Sequence, residues 1–267
     1  MFEYDVLAKY FDLYFNHTND IPFWRDMVKR FGSPILELSC GTGRLTFPIA
    51  EAGVFVTGID ISNPMLKRAK EKLKKYPQAI QQRVTLVKGS TISFSVNKKF
   101  KAVFCPEAFW AVSDEEEISM LNSIKNSLLP NGHLVMSISN FHEHPEDIKT
   151  HHLKTFRHYA EFGFTLVRQC YVEGKGGSNL ERIIHFLDRV YPNGTVKRIV
   201  TERIERQRTK DELLGLLWSN GFQVRDIYGE YDMTKWTEDS KWIIVVAQLA
   251  PGSFIDRLKN TINNWLR

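Results

Sequence analysis

Cysteine and long apolar runs are both scarce in this sequence of 267 residues. The three cysteines lie far apart with no CxxC or Cys/His spacing, which argues against a disulfide framework and a zinc site. No apolar run approaches the ~20 residues that cross a bilayer. The N-terminus carries acids and tyrosines where a secretion signal needs a basic start and an apolar stretch. These absences predict a cytoplasmic protein with no metal and no membrane contact.

Charge of one sign is also not in large excess, since the formal net charge is only +5. The densest basic cluster is spread around one predicted helix, as is typical of a solvated face. No arginine-rich patch is interleaved with aromatic residues, so nucleic acid is disfavoured as a partner. The cluster consists of Lys67, Arg68, Lys70, Lys72, Lys74 and Lys75.

The middle of the chain alternates short apolar runs with helical patterns. The spacing predicts helices over about 44–52, 63–75 and 115–129, and strands over 35–38, 54–59, 84–87, 102–105 and 133–138. Strands that alternate with helices form a parallel sheet with both faces covered and right-handed crossovers. The first thirty residues also read as helical, with Asp20 before Pro22 as a helix start.

The pattern changes after residue 150. Residues 156–170, 180–191 and 196–205 alternate like antiparallel strands, and glycine-rich turns at 174–177 and 192–194 separate them. Thr209 and Glu212 then predict a helix that begins with a capping box. A strand pair over 222–228 and 242–249 follows, and residues 253–267 read as an amphipathic C-terminal helix.

One turn carries most of the chemical information. The run from Glu37 to Arg44 follows a strand and opens a helix, and its glycines allow the backbone to approach a ligand. The helix N-terminus behind it suits an anion, either a dinucleotide pyrophosphate or the carboxylate of a methionine moiety. Asp60 ends the next strand, where a carboxylate can accept hydrogen bonds from ribose hydroxyls. Thr46 stands where a dinucleotide fingerprint requires a third glycine, so the glycines alone leave both ligands open.

The wider pattern resembles one family. The run ILELSCGTGR…GIDIS…LVKGS…FKAVFC…LLPNGHLVMSIS is similar to class I S-adenosylmethionine-dependent methyltransferases. Residues 8–14 resemble the family's A-x-Y-Y-D-x-x-Y helix, which lies over the cofactor. The likeness is strong over residues 1–140 and extends to 228–246. An antiparallel insert before the last helix resembles the small-molecule branch, such as glycine and sugar-amine N-methyltransferases.

The resemblance implies an α/β fold. Its core is a Rossmann-like seven-stranded sheet with helices on both faces, plus an antiparallel β insert before the last helix and strand pair. The resemblance implies a single domain with five parts. These are an N-terminal helical lid (1–33), a cofactor-binding core (34–149), an insert that caps the acceptor (150–207), a helix and strand pair (208–250) and a C-terminal helix (251–267). We expect a monomer or a homodimer.

The resemblance also implies which residues bind the cofactor, S-adenosylmethionine, and its product S-adenosylhomocysteine. Glu37 supports the loop and approaches the methionine amino group, Asp60 binds the ribose diol, and Ile61 and Met65 pack on the adenine. The full set comes from the N-terminal helix, the glycine loop and the ends of three further strands: Phe11, Tyr14, Glu37, Ser39, Cys40, Gly41, Gly43, Arg44, Asp60, Ile61, Met65, Gly89, Ser90, Thr91, Cys105 and Pro106.

Two residues depart from the family pattern. Ser39 replaces the usual first glycine, so that turn is expected to use φ values that serine tolerates. Ser90 replaces the acid that usually accepts a hydrogen bond from the adenine amino group, and a hydroxyl accepts without charge assistance. Both changes predict modest cofactor affinity and keep open a non-catalytic homologue that binds S-adenosylmethionine.

The candidate catalytic residue is Glu107, which follows the fourth strand at the sheet edge where such folds bind ligands. It could attract a cationic amine, and the alternative is a structural or solvent-facing glutamate. Phe109 and Trp110 could wall the acceptor pocket or pack in the core, and Asn140 is another possible acceptor contact. Five histidines follow the fifth strand: His142, His144, His151, His152 and His158. Their spacing matches no metal-ligand pattern and indicates a surface loop. The alternative is that one of them lies near the acceptor.

Together these features predict methyl transfer to an N or O atom of a small molecule or peptide amine, by in-line displacement. RNA methylation is an alternative, and residues 105–108 count against base amines because Cys-Pro-Glu-Ala stands where such enzymes carry N-P-P-Y or D-P-P-Y. Thr46 and the N-terminal helix pattern disfavour a nicotinamide-dependent oxidoreductase.

Overall fold

The structure is a computed structural model. It describes residues 5, 7–109, 111–141, 148–159, 163–174 and 179–250, and for Tyr14, residues 148–159 and Arg168 it describes the backbone alone.

The described residues form helices and strands in alternation over the first half and mostly strands afterwards. A 3-10 turn spans Ala8–Tyr10, and the helices are α1 (Phe11–Tyr14), α2 (Ile21–Phe31), α3 (Thr46–Glu51), α4 (Asn63–Leu73), α5 (Gln78–Gln81), α6 (Asp114–Ser127) and α7 (Lys210–Ser219). The strands are β1 (Ile35–Leu38), β2 (Val56–Asp60), β3 (Val84–Lys88), β4 (Phe100–Pro106), β5 (Leu128–Ser139), β6 (Ile148–Tyr159), β7 (Phe164–Gly174), β8 (Leu180–Val190), β9 (Val196–Arg206), β10 (Phe222–Tyr228) and β11 (Trp242–Leu249).

The main sheet has seven strands in the order β10-β11-β5-β4-β1-β2-β3. Strands β1 to β5 pair in parallel, and β11 is antiparallel to its neighbours β5 and β10. Successive side chains of β4 point to opposite faces, so Phe104 packs with Trp24 of α2 and Val103 with Leu121 of α6. Helices therefore cover both faces of the sheet, and the predicted fold class is confirmed.

A second sheet is purely antiparallel, in the order β6-β7-β8-β9. The prediction of one strand over residues 156–170 is wrong, because β6 ends at Tyr159 and β7 pairs back from Phe164. Gly163 precedes β7 with φ 63°, a backbone conformation that glycine adopts without steric cost. In the sequence, apolar and polar residues alternate without a break through the reversal, so the pattern predicts a single strand.

The helix ends agree with the sequence predictions only in part. The Thr209–Glu212 capping box is present at the start of α7, as expected. Helix α6 ends at Ser127, earlier than predicted, because β5 already begins at the next residue. Asp20 precedes α2, but its side chain makes no capping hydrogen bond. The predicted C-terminal helix over 251–267 lies outside the described residues.

The N-terminal segment joins the two sheets. Leu7 is buried in one apolar cluster with Phe164, Leu166 and Leu187 of the second sheet. The Tyr10 ring meets Phe164 edge to face at 6.4 Å between centroids. Within the part of the chain that the structure describes, none of the helices combines the length and hydropathy that crossing a membrane requires.

Candidate functional site

A cavity of about 690 Å³ lies at the carboxyl ends of the parallel strands and reaches β9 of the second sheet. Ligands of open α/β sheets bind at this edge. Most of the residues predicted to bind the cofactor line it: Phe11, Glu37, Ser39, Cys40, Gly41, Arg44, Asp60, Ile61, Met65, Ser90, Thr91 and Pro106. Glu107 and Phe109 line it as well.

The other predicted cofactor residues are placed differently. Cys105 is fully buried on the face of β4 that packs against α6, and burial raises the pKa of its thiol to about 12. Gly43 and Gly89 do not line the cavity. The Gly43 amide donates to the Cys40 carbonyl at 2.9 Å, and the Gly89 amide donates to the Asp60 carbonyl at 3.0 Å. The side chain of Tyr14 lies outside the described residues.

The glycine loop has three residues with left-handed backbone. Ser39 has φ 54°, Gly41 has φ 54° and Gly43 has φ 84°. Ser39 therefore keeps a left-handed backbone in the small region that non-glycine residues tolerate, at a steric cost of about 1–2 kcal/mol. A Cβ added at Gly43 would lie 2.5 Å from the Phe47 ring, whereas one added at Gly41 would meet only Phe11, at 3.9 Å. The loop is therefore packed from behind and open where Gly41 lines the cavity.

Asp60 is held by two backbone amides. One carboxylate oxygen accepts from the Gly41 N–H at 2.8 Å, and the other accepts from the Ser62 N–H at 2.8 Å. Burial raises the pKa of Asp60, and these two hydrogen bonds oppose the rise. Each carboxylate oxygen can accept a second hydrogen bond, so the group can still bind a diol at the cavity wall.

Glu37 lies beneath the same loop. Its Oε2 accepts a hydrogen bond from the Thr46 hydroxyl at 2.6 Å, and burial raises its pKa to about 8. Thr46 is itself fully buried at the position where a dinucleotide fingerprint requires glycine. Because its side chain binds Glu37 there, the loop is organised differently from a pyrophosphate-binding turn.

Three N-terminal aspartates bind side chains on the loop or near it, and no sequence motif marked their partners. Asp5 accepts from the Ser62 hydroxyl at 2.6 Å, and Asp12 accepts from the Thr42 hydroxyl at 2.5 Å. Asp20 is fully buried, and its two carboxylate oxygens bind the guanidinium of Arg44 at 2.7 and 2.8 Å. We call Asp5, Asp12 and Asp20 the N-terminal aspartates.

Glu107 follows β4, the strand beside β1, and has φ 49°, a left-handed backbone that is rare for glutamate. Its N–H lies 3.0 Å from the Ser137 carbonyl oxygen and 3.1 Å from the Ser137 Oγ. Its Oε1 accepts from the Tyr231 hydroxyl at 3.3 Å. Burial raises the pKa of Glu107, and the charge of Arg44 opposes the rise. Ser137 and Tyr231 lie in stretches that resemble the family, but no motif marked either of them as a site residue.

The wall opposite the sheet comes from β9 and the two residues that follow it. This wall is charged, and most of its charges are paired, as Arg203 is with Glu205 at 2.5 Å. Arg208 binds the buried Glu117 of α6 at 2.5 Å. The remaining cavity residues of this segment are Glu202, Ile204, Arg206 and Gln207.

Other sequence candidates are less well supported. The Asn140 amide donates to the carbonyls of Glu238 and Ser240 at 2.9 and 2.8 Å, which is a structural role. Trp110 lies outside the described residues. Of the histidine group, His142 and His144 lie outside them too, and the same holds for the side chains of His151, His152 and His158.

Comparisons with known proteins agree with this geometry. Residues 35–132 match the family model described as a methyltransferase domain. A ubiquinone biosynthesis O-methyltransferase of Haemophilus ducreyi is 33% identical over 112 residues, which are 41% of this chain and 47% of that protein. The chain thus spans about half the length of this curated relative, 47%.

Solved structures match over most of the chain. The CcbJ methyltransferase from Streptomyces caelestis has a TM-score of 0.73 at 19% identity, covering 87% of this chain and 90% of that one. CalS10, an amino pentose methyltransferase from Micromonospora echinaspora, has a TM-score of 0.65 at 19% identity, covering 86% and 90%. Residues 35–132 thus match a methyltransferase domain, and the strand order of the whole sheet is similar to that of solved S-adenosylmethionine-dependent methyltransferases.

Proposed function

We propose that this protein binds S-adenosylmethionine and transfers its methyl group to an amine nitrogen of a small, polar molecule. The observation that carries the choice of an amine is the state of Glu107. Among the described residues, no lysine, arginine or histidine lies within ion-pair distance of its carboxylate, although it lines the cavity. The carboxylates on the opposite wall are paired, since Glu205 binds Arg203 and Glu202 binds Arg182.

The cavity residues fit the cofactor chemically. The open space beside Gly41 can admit an amino-acid moiety near the helix N-terminus, and Asp60 offers carboxylate oxygens to a ribose diol. Ile61 and Met65 supply apolar surface for a purine. Ser90 lines the same end, and its Oγ accepts from the Ile92 N–H at 3.2 Å, so its own hydrogen remains available to a purine ring nitrogen. When bound, the cofactor supplies an electrophilic methyl on a sulfonium.

The protein's own contribution is positioning and charge. Holding an acceptor at attack distance can lower the barrier by about 7–11 kcal/mol. In this proposal, the Glu107 carboxylate attracts a protonated amine into the cavity and accepts its proton, because nitrogen must be neutral to attack. The charged wall from β9 favours a polar acceptor, as an amino sugar or a peptide N-terminus would be. The amino pentose methyltransferase named above supports the same class.

The test measures methyl transfer with deuteriomethyl S-adenosylmethionine and matched acceptors. Glucosamine is compared with glucose, and a short peptide with its N-acetylated form. A catechol and a short single-stranded RNA are tested as acceptors of other classes. We expect product only with free amines. Glu107→Gln should lower kcat at least about 100-fold, the range for a lost general base. It should leave the Kd for S-adenosylmethionine unchanged in calorimetry.

Asp60→Asn is the complementary variant. It should raise the Kd for the cofactor at least about tenfold, because a charge-assisted hydrogen bond is worth about 1.5–3 kcal/mol. Methylation of RNA or catechol alone would overturn the amine assignment. Binding of S-adenosylmethionine without transfer to any acceptor would favour a non-catalytic homologue, and no binding at millimolar cofactor would refute the proposal altogether.

A further inference from the structure

We propose that Tyr231 is a positioning residue for Glu107 and that, with Ser137, it closes a ring of hydrogen bonds that holds and tunes this carboxylate. The inference rests on the role proposed for Glu107 above. Tyr231 follows β10, far along the chain from Glu107, and it does not line the cavity. Any effect on an acceptor must therefore pass through Glu107.

The ring has three members and three contacts. The Glu107 N–H reaches the Ser137 Oγ at 3.1 Å. The Ser137 Oγ lies 3.0 Å from the Tyr231 hydroxyl oxygen. The Tyr231 hydroxyl lies 3.3 Å from the Glu107 Oε1. Ser137 is fully buried and Tyr231 is 8% exposed, so water does not compete for these groups.

The ring has a preferred direction when Glu107 is charged. A phenol has one hydrogen, and the strongest acceptor in reach is the carboxylate. Tyr231 then donates to Glu107, and the Ser137 hydroxyl turns to donate to Tyr231. When Glu107 is protonated, the phenol hydrogen can turn to Ser137 instead. The ring therefore stabilises the charged carboxylate more than the neutral one, and it leaves Oε2 for an acceptor amine.

The ring also compensates for local strain. Glu107 has a left-handed backbone, which costs a non-glycine residue free energy unless the surroundings hold it. Its N–H is fixed by Ser137, and its side chain is fixed by Tyr231. Tyr231 is in turn wedged among aromatic rings, with centroids 5.7 Å from both Phe23 and Trp242. Replacement of Tyr231 by phenylalanine keeps this packing and removes only the hydroxyl.

Three other charged groups near Glu107 also affect its pKa. Arg44 from the end of the glycine loop and Lys241 before β11 lower its pKa. Asp20 from the N-terminal segment raises it, and Arg44 is already neutralised by that aspartate. The Tyr231 hydroxyl differs from all three, since it is the one group that hydrogen-bonds the carboxylate directly among the described residues.

The experiment is a carbon-13 NMR titration of glutamate carboxyls in the full chain with S-adenosylhomocysteine added. The Glu107 signal is assigned by its loss in Glu107→Gln. In Tyr231→Phe the pKa of Glu107 should rise by about one unit, the equivalent of one lost hydrogen bond to a charged group. Ser137→Ala should raise it by less, because Tyr231 still donates to the carboxylate and loses only the hydrogen bond that the Ser137 hydroxyl donates to it. Tyr228→Phe, on β10 beside Phe23, is the matched control and should leave it unchanged.

A second readout is the pH profile of methyl transfer to an amine. The ionised form of Glu107 is the active one, so the acidic limb of kcat/KM should move to higher pH in Tyr231→Phe by the same amount. An unchanged Glu107 pKa in Tyr231→Phe would overturn the inference. The titration does not depend on the acceptor, so a shifted pKa together with full activity of Glu107→Gln would refute the proposed catalytic role and leave the ring intact.

Discussion

Two non-glycine residues that line the cavity have a left-handed backbone. Ser39 carries this conformation in the glycine loop, and Glu107 carries it after β4. Such conformations persist only where surrounding contacts hold them, and they cluster at ligand sites. In both places the strain brings a functional element close to the cavity, the loop backbone in one case and a carboxylate in the other.

Gly43 has a left-handed backbone and is packed closely against Phe47. Gly43→Ala should destabilise the protein by about 3 kcal/mol in urea unfolding, because it combines left-handed strain with overlap on Phe47. Gly53→Ala is the matched control, since Gly53 has φ 94° but nothing within 4 Å of an added Cβ. It should lose only the strain, about 1–2 kcal/mol. Equal losses in the two variants would mean that Phe47 moves aside freely.

The N-terminal segment acts on the site as an element. It carries Phe11 over Gly41, and the N-terminal aspartates bind side chains on or beside the loop that Gly41 belongs to. These contacts differ in burial. Asp20 is fully buried against Arg44, whereas Asp12 and Lys72 keep about a third of their side-chain surface, 31% and 32%. Removing one partner of a buried charge pair costs far more folding free energy than removing one partner of an exposed pair.

Asp20→Asn should therefore cost about 2–3 kcal/mol of unfolding free energy and weaken cofactor binding, because Arg44 loses its charged partner. Lys72→Met, which breaks the half-exposed pair with Asp12, should cost less than about 1 kcal/mol. Urea unfolding and calorimetry with S-adenosylmethionine measure both effects. A larger loss in Lys72→Met than in Asp20→Asn would show that burial does not rank these contacts.

At the scale of the whole molecule, the second sheet closes the cavity from outside the main sheet. Charged contacts fix its last strand to α6. Arg208 and Arg206 both approach the same oxygen of Glu117, at 2.5 and 3.6 Å, and Arg206 also binds Asp114 at 2.6 Å. Glu117 is 1% exposed, so water screens its ion pairs with the two arginines only a little.

Glu117→Gln should loosen this connection without unfolding the core. We expect amide hydrogen exchange in β9 to become about tenfold faster, the equivalent of about 1.4 kcal/mol of local stability. Exchange in β1 and β2 should stay as it was. Glu202→Gln is the control, because its pair with Arg182 is exposed and lies within the second sheet. If β9 exchanges equally fast in both variants, Glu117 does not anchor it.

The main sheet and the position of the cavity could be predicted from the amino-acid sequence alone. The sequence evidence was local, because each apolar run of strand length, the glycine turn before a helix and the acid at the end of β2 is a pattern of a few consecutive residues. Periodicity and turn chemistry act over such distances, so they can be read along the chain. The sequence prediction failed where the alternation of apolar and polar residues ran through a chain reversal, as at Gly163.

The distant side chains that meet at the cavity could be identified only from the folded chain. Asp20 meets Arg44, Tyr231 meets Glu107, and Arg208 meets Glu117 across long stretches of chain. No periodicity or motif specifies such pairs, because each depends on the packing of elements that are neighbours in space alone. Burial then makes these contacts strong, since water is excluded only after the sheets and the N-terminal segment have come together.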